Sequence, residues 1–157
     1  MASRLPGTVT LRRLLQFGED LARDAYRGSN ALMTTIYATT RGGDIVTFTV
    51  NMDNSIPRSH SISQLQGALA SMKAIHYVVV CEAWYRPGTD AIDPNKLPDS
   101  KDYEERLVLI AVNRKGSQIR QFRILRDDRH GVRGLDIVPD TEARLGSWLE
   151  HLLPLNQ

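Results

Sequence analysis

The sequence predicts a single α+β domain with a largely antiparallel sheet of about five strands and three helices packed on one face of it. Three observations lead to this prediction. The run Tyr77–Cys81 is apolar throughout, two pairs of alternating segments flank short turns that contain glycine, and three segments repeat apolar residues at helical spacing. In chain order the elements are α-β-β-α-β-β-β-α.

The composition is that of an ordinary globular domain. The chain has 157 residues, of which 41% are hydrophobic and 24% charged, and its formal net charge is +2. A single cysteine excludes an internal disulfide within one chain. The beginning of the chain lacks the apolar run of a secretory signal, and Tyr77–Cys81 is too short to cross a bilayer, so we expect a cytoplasmic location without membrane association.

Three amphipathic segments predict the helices. The first runs from about Thr8 to Arg27, the second from about Ser61 to Ile75, and the third from about Thr141 to Leu153. The residues expected to cap these helices at their N-termini are Thr8, Ser59 or Ser61, and Asp140.

The first hairpin joins Leu32–Thr40 to Ile45–Met52 through Gly42–Gly43, because both glycines can adopt positive φ. This loop places Tyr37 opposite Phe48. One face of the hairpin is then apolar, with Tyr37, Thr39, Val46, Phe48 and Val50. The other face is wetter, with Ile36, Ala38, Thr47 and Thr49.

The second hairpin joins Arg106–Asn113 to Ser117–Arg126. A two-residue loop at Lys115–Gly116 places Leu109 opposite Phe122 and Leu107 opposite Ile124; a longer turn that begins at Asn113 with a bulge at Gly116 would shift this register. The segment Leu135–Val138 is a candidate short sixth strand. One layer of helices cannot cover both sheet faces, so the apolar outer residues predict a homodimer interface: Val108, Ile110, Val112 and Ile119.

Tyr77–Tyr85 reads as the central strand, and Glu82 interrupts its apolar pattern. A carboxylate in such a strand needs a partner, and Arg120 or Arg123 on a neighbouring strand is the expected one. The alternative is a general acid or base, with His76, His60 or His130 beside it, or a metal ligand. We favour the structural pair, because no second carboxylate in a strand completes a dyad. Cys81 is expected to be a core thiol.

The C-terminal half contains an acidic stretch followed by a basic one. The loop Pro87–Asp102 has no periodicity, and the stretch Asp90–Glu105 holds six acidic residues and two lysines, about −4. The segment Asn113–Arg133 holds seven basic and two acidic residues, about +5. It can contact nucleic acid or an acidic protein, or it can neutralise the acidic stretch of its own chain, which we favour.

No motif points to a cofactor or a metal. The chain lacks the glycine-rich phosphate loops, the paired-cysteine zinc pattern and histidine pairs at helical spacing, and Asp90, Asp93 and Asn95 do not have the spacing of a calcium loop. We therefore expect none of these groups.

The run Val79–Trp84, the proline- and aspartate-bearing loop after it and the strand Val108–Val112 resemble a pattern in a family of small uncharacterised proteins of bacterial and phage genomes. The resemblance covers the C-terminal half at most and rests on a hydrophobic strand that ends in Glu-Ala-Trp. It implies a prokaryotic or viral cytosolic setting and brings no activity with it.

These observations favour a non-catalytic binding or regulatory protein that acts through protein–protein contacts. The residues expected to make the contacts are Glu82, Trp84, Arg114, Lys115, Arg120 and Arg123. The alternatives are a hydrolase centred on Glu82 with a histidine such as His76, and a weak nucleic-acid-binding module that uses Arg114–Arg133.

Overall fold

The structure is a computed structural model, and it describes residues 3–4, 9–50, 58–85 and 104–139. The elements in chain order are β1 (Ser3–Arg4), α1 (Leu11–Tyr26), β2 (Thr35–Thr40), β3 (Asp44–Thr49), α2 (Arg58–Ser71), β4 (Ala74–Tyr85), β5 (Glu104–Asn113), β6 (Gly116–Arg126) and β7 (Val132–Ile137). The α+β class is therefore confirmed. The loop 87–102 and the predicted helix 141–153 lie outside the described residues.

The described strands form one sheet in the order β1-β3-β2-β4-β5-β6-β7, and every neighbouring pair is antiparallel. The sheet is larger than predicted, because β7 is a full strand and the two-residue β1 adds to one edge. β4 lies in the middle, as its apolar run predicted. Tyr77, Val78 and Val79 are each 0% exposed, which a strand covered on both faces requires.

The prediction that all helices pack on one face of the sheet is wrong. α1 packs on one face, here the α1 face, against a cluster that includes Val78, Val80 and Leu109. α2 packs on the opposite face, the α2 face, where Leu69 joins Tyr77 and Val79. Both faces of β4 thus have a helical cover, and this explains why its residues are apolar without alternation.

Three of the four apolar outer residues of the second hairpin are buried within the chain, so they are not exposed for a dimer interface. Val108 and Ile110 are 0% exposed and Val112 is 3% exposed, and all three belong to the core cluster of the α2 face. The reason for expecting a homodimer through this surface is thereby removed, because these residues are already packed within the chain.

The predicted register of the first hairpin is wrong by one residue. The loop has three residues, Arg41 to Gly43, closed by a hydrogen bond from Gly43 N to Thr40 O, and Gly43 has a φ of 85°. Ile36 therefore lies opposite Phe48. A slip of one residue exchanges the faces of a strand, so Ile36 and Ala38, expected on the wetter face, are fully buried.

The second hairpin turns through Arg114 and Lys115, with Asn113 opposite Gly116 and Leu107 opposite Phe122. The Asn113 side chain accepts hydrogen bonds from the backbone N–H groups of Lys115 and Gly116. The register differs from the predicted one by two residues. A shift of two keeps each side chain on its face, so the predicted core face of this hairpin is correct.

The helix ends differ from the predictions at their caps. Thr10 caps α1, since its side chain accepts a hydrogen bond from Arg13 N at 3.1 Å. Ser59 and Ser61 lie inside α2 and do not cap it, and Ile75 belongs to β4. Lys73, in the turn between α2 and β4, has a φ of 55°. No helix in the described ranges has the length and apolar character needed to span a bilayer.

Candidate functional site

Glu82 lies on the α1 face of β4, at the end of the strand that leads into residues 86–103. Its Oε2 accepts a hydrogen bond from Tyr26 Oη at 2.7 Å, and its Oε1 accepts one from Leu32 N at 2.9 Å. Both carboxylate oxygens are thus bonded to groups that fix the end of α1 and the connector that follows it. The carboxylate acts here as an acceptor that joins three segments of chain.

Arg126 is the cation beside Glu82. Its Nη2 lies 3.9 Å from Glu82 Oε2, and its Nε bonds to Glu105. Its Nη1 donates to the carbonyl oxygens of Asn30 and His130, at 2.7 Å in each case. The guanidinium therefore ties β4, β5, the connector after α1 and the turn before β7 to β6. We call Tyr26, Glu82, Glu105 and Arg126 the carboxylate cluster.

The protonation of this cluster follows from burial and charge. Burial, and next the hydrogen bond to Glu82, raise the pKa of Tyr26 far above its usual value, so the phenol stays a donor. The hydrogen bond to Glu105 raises the pKa of Arg126, although burial opposes this. The side chains of Glu82 and Glu105 are 22% and 23% exposed, so the paired charges are partly shielded from water.

The prediction of a structural ion pair for Glu82 names the wrong arginines. Arg120 bonds to Glu19 of α1 at 2.9 Å. Arg123 lies on the α2 face and bonds to Glu104 at 3.1 Å. The alternation of β6 places Arg126 on the same face as Glu82, and the length of its side chain lets it reach across β5.

The histidines proposed as catalytic partners do not bond to Glu82. His76 lies on the same face six residues earlier in β4, a distance of about 20 Å along a strand, and its Nδ1 lies 3.2 Å from Thr39 Oγ1. His60 belongs to α2 on the opposite face. His130 is near the carboxylate cluster, but it contributes its backbone carbonyl. His151 lies outside the described residues.

A small recess opens beside the carboxylate cluster. It has a volume of about 60 Å³ and is lined by Glu82, Ala83, Trp84, Glu105 and Ile124. Pockets for small-molecule substrates are usually ~300–1,000 Å³. The recess has room for a few water molecules or the end of one side chain.

A second polar network lies on the α2 face, and no local sequence pattern predicts it. Arg106 is 6% exposed, its guanidinium carbon lies 4.3 Å from the centre of the Tyr85 ring, and it donates to Gln121 at 2.9 Å. Gln121 in turn donates to Tyr85 Oη at 3.1 Å. Arg106 and Arg123 both bond to Glu104. Although burial acts to raise it, these hydrogen bonds lower the pKa of Glu104.

The opposite end of the sheet carries a different charge pattern. Arg41, Lys73, Arg114 and Lys115 occupy three turns at this end, and all four are exposed. None of the four forms an ion pair within the described part of the chain. We call these four residues the basic end.

The remaining candidates are placed as follows. Cys81 is 8% exposed in the core of the α2 face, and burial, followed by the charge of Glu82, raises the pKa of its thiol to about 12. No group of three or more potential metal ligands is found within the described ranges. Asp90, Asp93 and Asn95 lie outside them.

Comparisons of the chain with protein-family models, with curated proteins and with solved structures give no match.

Proposed function

We propose that the protein is a small cytosolic, non-catalytic binding protein that acts through protein–protein contacts. The observation that carries the proposal is the division of its basic side chains into two groups. Arg106, Arg120, Arg123 and Arg126 bond to acidic residues of the same chain. The four residues of the basic end have no such partner within the described residues, so they are available to a partner molecule.

The bonding of Glu82 supports a role without catalysis. Each oxygen of Glu82 accepts a hydrogen bond that holds it in place within the protein, and no histidine of the described residues bonds to it to complete an acid–base pair. The recess that the described residues form beside it is smaller than a usual small-molecule pocket. A hydrolase centred on Glu82 and a histidine is therefore the weaker of the two functions.

The ion pairs of the structure narrow the set of residues that can contact a partner. Of the residues expected to contact a partner, Arg114 and Lys115 remain candidates, whereas Arg120 and Arg123 already pair within the chain. The prokaryotic or viral cytosol is the setting that the resemblance around Glu82 and Trp84 implies. Self-association stays a prediction, which light scattering at micromolar concentration tests.

The proposal is tested by recovering partner proteins on tagged protein from the host and identifying them by mass spectrometry. The double variant Arg114→Glu/Lys115→Glu should lose a partner that the wild type retains. Arg129→Glu/Arg133→Glu is the matched control, since it reverses two exposed cations elsewhere. Retention by the first variant, or an enzymatic activity that Glu82→Gln abolishes in a folded protein, contradicts the proposal.

A further inference from the structure

We infer that the basic end binds an extended acidic segment of a partner protein, with carboxylates at alternate residues. The inference rests on the proposed function and names the chemistry of the partner. The four residues of the basic end come from three turns that are far apart in the sequence and meet at one end of the sheet. No basic run in the sequence contains them together.

The strand register places the three turns side by side. Thr40 of β2 lies opposite Ala74 of β4, so Arg41 and Lys73 extend past the same end of the sheet. His76 lies opposite Asn113 of β5, so Arg114 and Lys115 emerge at nearly the same level. The four cations therefore form a row that crosses the ends of β2, β4, β5 and β6.

The spacing of the row matches an extended peptide. Neighbouring strands are ~4.8 Å apart, and a turn is centred half a spacing beyond the strand that enters it. The two hairpin turns therefore lie roughly 7 Å to either side of Lys73. Alternate residues of an extended chain are ~6.6–6.8 Å apart and point to the same side. Three carboxylates at alternate positions would each face one turn.

The surroundings favour negative charge. Gly18 of α1 lies against Val78 and Val80, and Tyr26 bonds to Glu82, so the first turn of α1 lies towards the basic end. That turn has no acidic residue and exposes Arg12. The positive end of the α1 dipole adds to this field on the α1 face, whereas α2 ends at Ser71 and presents its negative end beside Lys73 on the α2 face. Asp44 is the carboxylate that begins β3 at this end.

The same features disfavour nucleic acid. No aromatic side chain is among the exposed large hydrophobic residues of the described chain, so none offers a stacking platform for bases. The two helices of the described ranges pack against the sheet, and neither is free to enter a groove.

The inference is tested by fluorescence anisotropy at low ionic strength with two labelled peptides of identical composition. One has three aspartates at alternate positions separated by serine, and the other has the aspartates in a block. The alternating peptide should bind several-fold more tightly. Arg41→Ala, Lys73→Ala and Arg114→Ala should each weaken its binding by ~2–5-fold, as for exposed ion pairs, and Arg133→Ala should leave it unchanged.

The outcomes separate this inference from the proposed function. Equal binding of the two peptides overturns the alternate spacing, while a host protein lost with Arg114→Glu/Lys115→Glu still supports the function. A labelled oligonucleotide of equal charge that binds more tightly than either peptide overturns both, since the basic end would then serve phosphates.

Discussion

Tyr26 Oη donates a 2.7 Å hydrogen bond to Glu82 Oε2, and the two residues lie 56 positions apart in the chain. The bond joins the last residue of α1 to the central strand. Because burial and Glu82 both raise the pKa of Tyr26, the phenol remains protonated and the bond persists at alkaline pH. The bond thus holds the end of the helix against β4 at neutral and alkaline pH.

Removing this bond should destabilise the protein. Tyr26→Phe should lower the free energy of unfolding by about 1–3 kcal/mol, because it takes away a donor to a charged group. In a double-mutant cycle with Glu82→Gln, urea unfolding should give a coupling energy of about 1 kcal/mol. Tyr37→Phe is the control, since it also removes one hydroxyl group but keeps the half-buried ring and its edge-to-face contact with Phe17. Equal losses for Tyr26→Phe and Tyr37→Phe would contradict the assignment.

Arg126→Ala should cost more than the loss of any exposed arginine. It leaves Glu82 and Glu105 partly buried without their cation and frees the carbonyls of Asn30 and His130. We expect a loss of about 2–4 kcal/mol in the free energy of unfolding. Arg129→Ala, three residues later and exposed, should change it by less than about 0.5 kcal/mol. A small effect of Arg126→Ala would show that water replaces the guanidinium without penalty.

Two helical glycines should respond to alanine with opposite signs. At Gly18 a Cβ would lie 3.2 Å from Val80 Cγ2 and 3.3 Å from Val78 Cγ2, so Gly18→Ala crowds two buried valines; this crowding should outweigh the gain in helix propensity and destabilise by up to about 2 kcal/mol. At Gly67 of α2 a Cβ meets nothing within 4 Å, so Gly67→Ala should stabilise by about 0.5–1 kcal/mol. Thermal unfolding of both variants measures the difference. Two changes of the same sign would refute the close approach at Gly18.

The free energy of unfolding should decrease as the pH falls, and the protonation of Glu104 should account for part of this decrease. Hydrogen bonds from Arg106 and Arg123 hold its folded pKa below the ordinary 4.5, so the unfolded chain takes up the proton first as the pH falls. This contribution is present above about pH 4.5 and is lost as the pH falls through the folded pKa. Urea unfolding between neutral pH and about pH 3 should show a shallower decline for Glu104→Gln than for the wild type. Parallel curves would exclude Glu104 as a source of the acid sensitivity.

Cys81 should be unreactive in the native protein. Burial raises the pKa of its thiol to about 12, so the thiolate is scarce at neutral pH and the sulfur is also shielded by the core. A thiol reagent at neutral pH should label the protein in denaturant and hardly at all in its absence. Rapid native labelling would mean that this part of the α2 face opens readily.

The sequence was sufficient to predict those features of the fold that depend on the local pattern of apolar residues. The apolar run before Glu82 predicted the central strand, and alternation placed Val78, Val80 and Glu82 on one face. The predicted register of the first hairpin is wrong because Arg41 belongs to its loop, and one more loop residue exchanges the faces of one strand relative to the other.

The partner of Glu82 was missed for a different reason. Tyr26 reaches the carboxylate because α1 packs on the sheet with Gly18 close to Val78 and Val80, so the last residue of the helix lies beside Glu82. The basic end likewise arises from strand register, which assembles cations that no stretch of sequence brings together. Such relationships are properties of tertiary packing, and local periodicity does not encode them.

The position of β4 between β2 and β5 has a kinetic consequence. From β4 to β7 each strand pairs with the next one in the chain. β2 pairs with β4 instead, although β3 and α2 lie between them in the sequence. Loop-closure entropy grows with the length of chain enclosed, and non-local pairing slows folding. We expect the C-terminal meander to assemble first, with Ala74–Tyr85 as its exposed margin, and the β2–β3 ribbon to add to that margin last.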